Sequence, residues 1–153
     1  MTVIGMGNPD MGDDGIGVRV AELVREEARR GAWRNAPQVV SAGTDAVLAG
    51  ACFAEDTDVL LVDAVNMDAE AGEWRLFSAR EALPCRQSAQ GSTHTLPLSA
   101  VIEMARALGY ADRLRILGVQ VSEVRPGRFL SPRVARCVPA ILTRIREEAE
   151  TLS

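Results

Sequence analysis

No apolar run in this 153-residue sequence approaches the ~20 residues of a membrane span. No basic segment leads into a signal-type apolar stretch at the N-terminus, so neither membrane insertion nor export is expected. Basic excess is missing as well. The 17 Lys and Arg are outnumbered by 21 Asp and Glu, the net charge is −4 and the pI is near 5.1. Phosphate neutralisation needs a basic face, so general nucleic-acid binding is excluded. Cysteine is scarce: Cys52, Cys85 and Cys137 are far apart and odd in number. They form neither a CxxC pair nor a disulfide framework, which fits a reducing cytoplasm, and they are expected to be small core residues or spectators. No GKS or GKT sequence marks a P-loop, no GxSxG elbow marks a serine hydrolase, and there is no internal repeat. The hydrophobic share of 47% and charged share of 25% are those of an ordinary globular chain. Residues 1–153 are expected to form one domain.

What the sequence does contain is a dense stretch, GMGNPDMGDDGIG, from Gly5 to Gly17. It follows the short apolar run Met1–Ile4 and opens into Ile16, Val20, Leu23 and Val24 at helical spacing. That pattern predicts a strand, a glycine-rich turn and a helix ending at Gly31. A second strand is predicted over Gln38–Ala42, then a short helix over roughly 46–54 capped by Thr44 or Asp45. The third strand, Asp58–Val62, ends at Asp63. The loop after it is too short for a helical crossover, so the strand Glu73–Ser78 should run antiparallel to the third or lie at a sheet edge. Residues 79–93 read as an irregular polar loop. Leu98, Val101, Ile102, Ala105 and Leu108 mark a helix closed by Gly109. Arg113–Val121 holds a fifth strand. Ser131 and Pro132 start a last helix, with a kink expected at Pro139. Strands alternating with helices in this order predict an α/β fold with a mostly parallel sheet covered on both faces. Ligands in such sheets bind at the carboxyl ends of the strands.

That rule directs attention to Asp14, Asp63 and His94. Gly5 and Gly7 supply two glycines of a GxGxxG dinucleotide fingerprint, but Asp10 occupies the third position and no ribose-binding acid follows the second strand. Asp13 and Asp14 would repel a pyrophosphate at the helix N-terminus. One aspartate there is explained by capping, a role that suits Asp13; Asp14 is either a cap on the solvated surface or a ligand. Asp63 ends a buried strand, so it is paired, caps a turn, or binds a cation. His94, the only histidine, is either structural or, just before a helix, a neutral imidazole suited to a metal. Two carboxylates and one imidazole from three separate elements make an open site for a borderline divalent metal such as zinc or nickel. The turn's backbone amides are a candidate oxyanion site.

The residues GMGNPDMGDDGIGV (Gly5–Val18), LLVDAV (Leu60–Val65), THTL (Thr93–Leu96) and LGVQV…LSPRV (Leu117–Val134) together resemble the nickel-dependent endopeptidases that mature NiFe hydrogenases. The resemblance spans nearly the whole chain, and Asp10 stands where that family more often has an apolar residue. It implies a three-layer α/β/α sandwich on a five-stranded, mostly parallel sheet with one antiparallel strand. It implies a cytoplasmic, metal-dependent endopeptidase that removes a C-terminal extension from the hydrogenase large-subunit precursor after nickel insertion. Asp14, Asp63 and His94 would be the metal ligands and catalytic residues. Nickel would arrive with the substrate, and zinc or cadmium would substitute for it in a crystal. A non-proteolytic module of the same fold, binding a metal or small ligand, is the alternative. The expected partner is the precursor, without nucleic acid or membrane, and the expected state is a monomer.

Overall fold

The computed structural model describes residues 1–54, 56–82, 96–122 and 124–152. The apolar N-terminal run forms β1 (Thr2–Met6), buried along its whole length. After a 3-10 turn (Gly12–Gly15) the amphipathic segment forms α1 (Ile16–Arg29). Ile16, Val20, Ala21 and Val24 line its buried face, and Gly31 follows its end with φ +72°, the left-handed conformation a glycine tolerates. β2 (Gln38–Gly43) leads to α2 (Ala46–Gly50). Asp45 caps α2 by accepting from the N–H groups of Val47 and Leu48 at 2.9 and 3.0 Å. β3 (Val59–Val65) is fully buried, β4 (Trp74–Ser78) partly so. α3 (Leu96–Ala107), β5 (Leu114–Gln120) and α4 (Pro132–Thr151) complete the chain.

The sheet order is β2-β1-β3-β5-β4. The first four strands are parallel, and β4 runs antiparallel to β5. Alternation along the strands divides the core in two. Leu60, Val62, Leu117 and Val119 face α1 and α4, while Leu61, Val65, Leu114 and Ile116 face α2 and α3. The three-layer sandwich expected of the sequence is therefore present. α4 is tied to the sheet at its far end, where Glu148, 5% exposed, pairs with Arg115 on β5 and with Arg144 at 2.7 Å.

Several elements differ from expectation. β4 lies at the edge, as foreseen, but its antiparallel partner is β5, because β5 inserts between it and β3. Gln120 fixes that arrangement: its carbonyl accepts from Gly72, its N–H donates to the Glu73 carbonyl, and its side-chain oxygen accepts from Met67 at 2.7 Å. β3 does not end at Asp63 but continues to Val65, still paired to β5 through Asp63↔Gly118. α3 stops at Ala107, leaving Leu108 63% exposed rather than on the apolar face. Pro139 sits inside α4, which runs through it as one helix of 20 residues. The irregular loop foreseen over 79–93 falls mostly, and His94 and Cys85 entirely, outside the described residues. Cys52 and Cys137 are free thiols. No described helix is long and apolar enough to cross a membrane.

Candidate functional site

β1 connects through α1 to β2 on one side, while β3 lies on the other. This is a topological switch point, where a crevice opens past the strand ends. Pairing between β1 and β3 stops at Gly5↔Val62, one residue before Asp63. β1 stays paired to β2 for one more residue, Met6↔Gly43, before the glycine-rich turn. Asp63 thus stands on a strand that carries on after its neighbour has departed.

The turn is held by its own backbone. Gly7 N–H donates to the Gly43 carbonyl at 2.9 Å, Met11 to Asn8 at 3.1 Å, Gly12 to Gly127 at 2.7 Å and Asp14 to Met11 at 3.3 Å. Asn8 N–H donates to Asp14 Oδ2 at 2.9 Å, and Asp10 N–H to Asn8 Oδ1 at 3.0 Å. These six amides are committed inside the protein, so the oxyanion role considered for the turn has no donors among them. The glycines serve close packing. A Cβ on Gly5 or Gly17 would overlap backbone of the facing element, and one on Gly7, whose φ is +113°, would overlap the Asp14 carbonyl. Asp10 pairs with Arg128, Nε to Oδ1 at 2.9 Å, which gives a charged residue a local use at this position.

Asp14 and Asp63 are both buried, each 8% exposed. Asp14 uses one oxygen to accept from Asn8; Asp63 Oδ1 accepts from Ala64 N–H at 2.9 Å. Their other oxygens, Asp14 Oδ1 and Asp63 Oδ2, receive no hydrogen bond from the described residues. Burial pushes the Asp63 carboxyl up to about 8, and the nearby charge of Asp14 adds to that, against the lowering effect of the Ala64 N–H. A buried carboxylate whose proton affinity is raised by burial and by a neighbouring carboxylate is a site for a proton or for a cation. Among the described residues Asp14 and Asp63 each keep an oxygen with which to hold one, so the donor chemistry fits a divalent metal. The described residues alone do not group three or more His, Cys, Asp or Glu around such an ion, and His94 lies outside them.

Asp13 differs from the capping role expected of it. Neither the 3-10 turn nor α1 has a side-chain cap. Asp13 is 1% exposed and turns instead to Ser131, accepting from its N–H at 2.6 Å and from its hydroxyl at 2.8 Å. Ser131 is the N-cap of α4 by backbone conformation, with Pro132 following, but its hydroxyl makes no cap. Sequence reasoning found Ser131 as a helix start and missed it as a partner of the turn. The two residues are 118 apart, and no local pattern joins them.

A groove of about 680 Å³ opens beside the turn, lined by Pro9, Gly12, Gly15, Val18, Leu130 and the 91%-exposed Phe129 among others. Neither Asp14 nor Asp63 lines it.

Residues 18–148 match the family model described as hydrogenase maturation protease. The matched segment contains the positions of Asp63 and His94 and begins after Asp14. The chain is 29% identical over 125 residues to a putative hydrogenase maturation protease of Methanocaldococcus jannaschii, across 78% of this chain and 71% of that one. In fold it is similar to the NiFe hydrogenase maturation protease HybD of Thermococcus kodakarensis, with a TM-score of 0.75 and 22% identity over 97% of each chain. It is similar as well to the hydrogenase maturating endopeptidase HybD of E. coli, with a TM-score of 0.77 and 19% identity over 98% of this chain and 91% of that one.

Proposed function

Because the chain belongs to the hydrogenase maturation protease family, we propose that it is the cytoplasmic endopeptidase that removes the C-terminal extension of a NiFe hydrogenase large-subunit precursor once nickel is in place. The observation that carries this reading is the pair of buried carboxylates, Asp14 and Asp63, beside the switch point, each with an oxygen to which no described residue donates. His94 is the third member on the strength of its THTL motif.

The nickel ion belongs to the substrate, and when bound it supplies a Lewis acid beside the scissile segment. The chain's own residues capture and orient it. Asp14 and Asp63 present negative charge from two elements that the backbone holds fixed, so the loaded precursor docks in one orientation. Burial and the charge of Asp14 raise the proton affinity of Asp63, so a cation competes with a proton there. That competition lowers the affinity of the site for free metal. This supports a dependence of cleavage on nickel loading of the precursor. Zinc and cadmium, with similar ligand preferences, are expected to occupy the same three residues.

The test is processing of the large-subunit precursor, with and without nickel, followed by mass spectrometry. The expected result is loss of the C-terminal extension from the loaded precursor only, and none with Asp14→Ala or Asp63→Ala. A loaded precursor that is bound but stays intact would point to the non-proteolytic module instead. Cleavage by His94→Ala at the wild-type rate would remove His94 from the ligand set and leave the function standing.

A further inference from the structure

Two aspartates stand side by side in the same four-residue 3-10 turn, both buried. They are used differently. Asp14 keeps one carboxylate oxygen free of hydrogen bonds from the described residues. Asp13 has both oxygens engaged by one residue, Ser131, at 2.6 and 2.8 Å. Ser131 opens α4, a helix of 20 residues, whose N-terminal end carries partial positive charge. The carboxylate of Asp13 therefore has both oxygens committed to donors at a helix end. It has little left to offer a metal, which explains why only one of two adjacent aspartates is available as a ligand.

The bonding is also unusual from the side of α4. A serine at an N-cap ordinarily turns its hydroxyl to the free N–H groups of its own first turn. Here that cap is absent, and the hydroxyl donates to Asp13 instead. The contact is the innermost rung of a seam between segments far apart in the chain. Its other rungs are Gly12 N–H to the Gly127 carbonyl at 2.7 Å, Gly127 N–H to the Asp10 carbonyl at 2.8 Å, and the Asp10–Arg128 pair. The turn is thus held on the Asn8 side through Asp14 itself, and on the α4 side through Asp13. Consecutive Cα atoms are a fixed ~3.8 Å apart, and in so short a turn a rotation at Asp13 is passed directly to the next peptide.

We propose that Asp13, through Ser131, is a positioning residue that sets where the Asp14 carboxylate stands relative to Asp63, and so governs capture of the metal-bearing substrate. This rests on the reading of Asp14 and Asp63 as metal ligands given above. Groups that orient a metal ligand without touching the metal typically contribute 10- to 100-fold to affinity, and ligand sets tolerate misplacement of only about 0.5 Å.

The experiment compares Ser131→Ala, Ser131→Thr and Asp13→Ala in the full-length protein. Ser131→Ala is the mild variant, because it keeps the backbone N–H bond to Asp13. Three quantities are read: the unfolding midpoint, the affinity for Ni²⁺ or Cd²⁺ by calorimetry, and kcat and KM for loaded precursor. The expected result for Ser131→Ala is metal affinity weakened at least about tenfold, with KM raised to match and kcat changed far less. Asp13→Ala should be weaker still, and Ser131→Thr, which retains a hydroxyl, should restore affinity and KM. Folded Ser131→Ala that binds Cd²⁺ and precursor as tightly as wild type would overturn the proposal, even with a lowered unfolding midpoint, because a purely structural seam behaves that way. Failure of the underlying reading looks different: Asp14→Ala and Asp63→Ala would then bind metal and process precursor normally, and the positioning role would fall with it.

Discussion

At the scale of single residues, Asp63 is the point of greatest electrostatic tension among the described residues. In an unfolded chain its carboxyl would titrate near ~4, whereas in the folded protein burial and the charge of Asp14 move it to about 8. The folded state therefore holds a proton that the unfolded state has lost between these values, so this group's contribution to stability falls as pH rises from about 4 to about 8. Asp63→Asn removes that dependence. The variant is expected to unfold at higher urea than wild type at pH 8.5, with the difference shrinking as pH is lowered to 5. Urea unfolding at the two pH values checks this, and parallel behaviour of the two proteins would contradict it. The sequence marked Asp63 as unusual because a carboxylate followed four apolar residues. It gave no sign that Ala64 and Asp14 would be what shapes its chemistry, since the second of these is brought up by the fold.

At the scale of elements, α1 can lie on the sheet only because glycines face each other across the contact. A Cβ on Gly17 would overlap the carbonyl oxygens of Val62 and Met6. Those atoms are backbone in buried strands, with no side chain free to turn aside. Gly17→Ala is expected to cost about 1–3 kcal/mol or more. Gly31→Ala meets nothing within 4 Å and strains only its φ of +72°, so its cost should stay near ~1 kcal/mol. Chemical denaturation of both variants tests whether the glycines of the opening stretch serve packing. Elements were the most legible part of the sequence. α1 has a clear apolar face and a glycine stop, and Asp45 at the start of α2 was among the two caps foreseen. Legibility failed where an element's end is set by a distant partner. β3 runs past Asp63 because β5 is there to pair with it, and Asp13 leaves its own helix because Ser131 is within reach.

At the scale of the whole molecule, β1, β3 and β5 form the interior of the sheet, and β2 and β4 are its edges. The burial follows: β1 and β3 are buried at every residue and β5 at all but Arg115, while β2 and β4 are mostly half-exposed. Amide hydrogen exchange should accordingly be slowest in β1, β3 and β5 and measurably faster in β2 and β4. Exchange of β4 as slow as that of β3 would show that its edge is covered. The layer architecture was readable from the alternation of strands and helices, but the partner of β4 was not. A short connection shows only that β4 cannot lie parallel beside β3 through a crossover; which strand intervenes depends on residues some forty positions further on.

During synthesis, the turn that bears Asp14 leaves the ribosome well before its partners Gly127, Arg128 and Ser131. Ser131 follows Asp13 by 118 residues, and at ~5–20 residues per second the delay is on the order of ten seconds. Throughout that interval Asp13 has no seat and Asp10 no counter-charge. The turn gains its α4-side contacts only when residues 127–131 have joined it. Competence of the site thereby waits on their arrival.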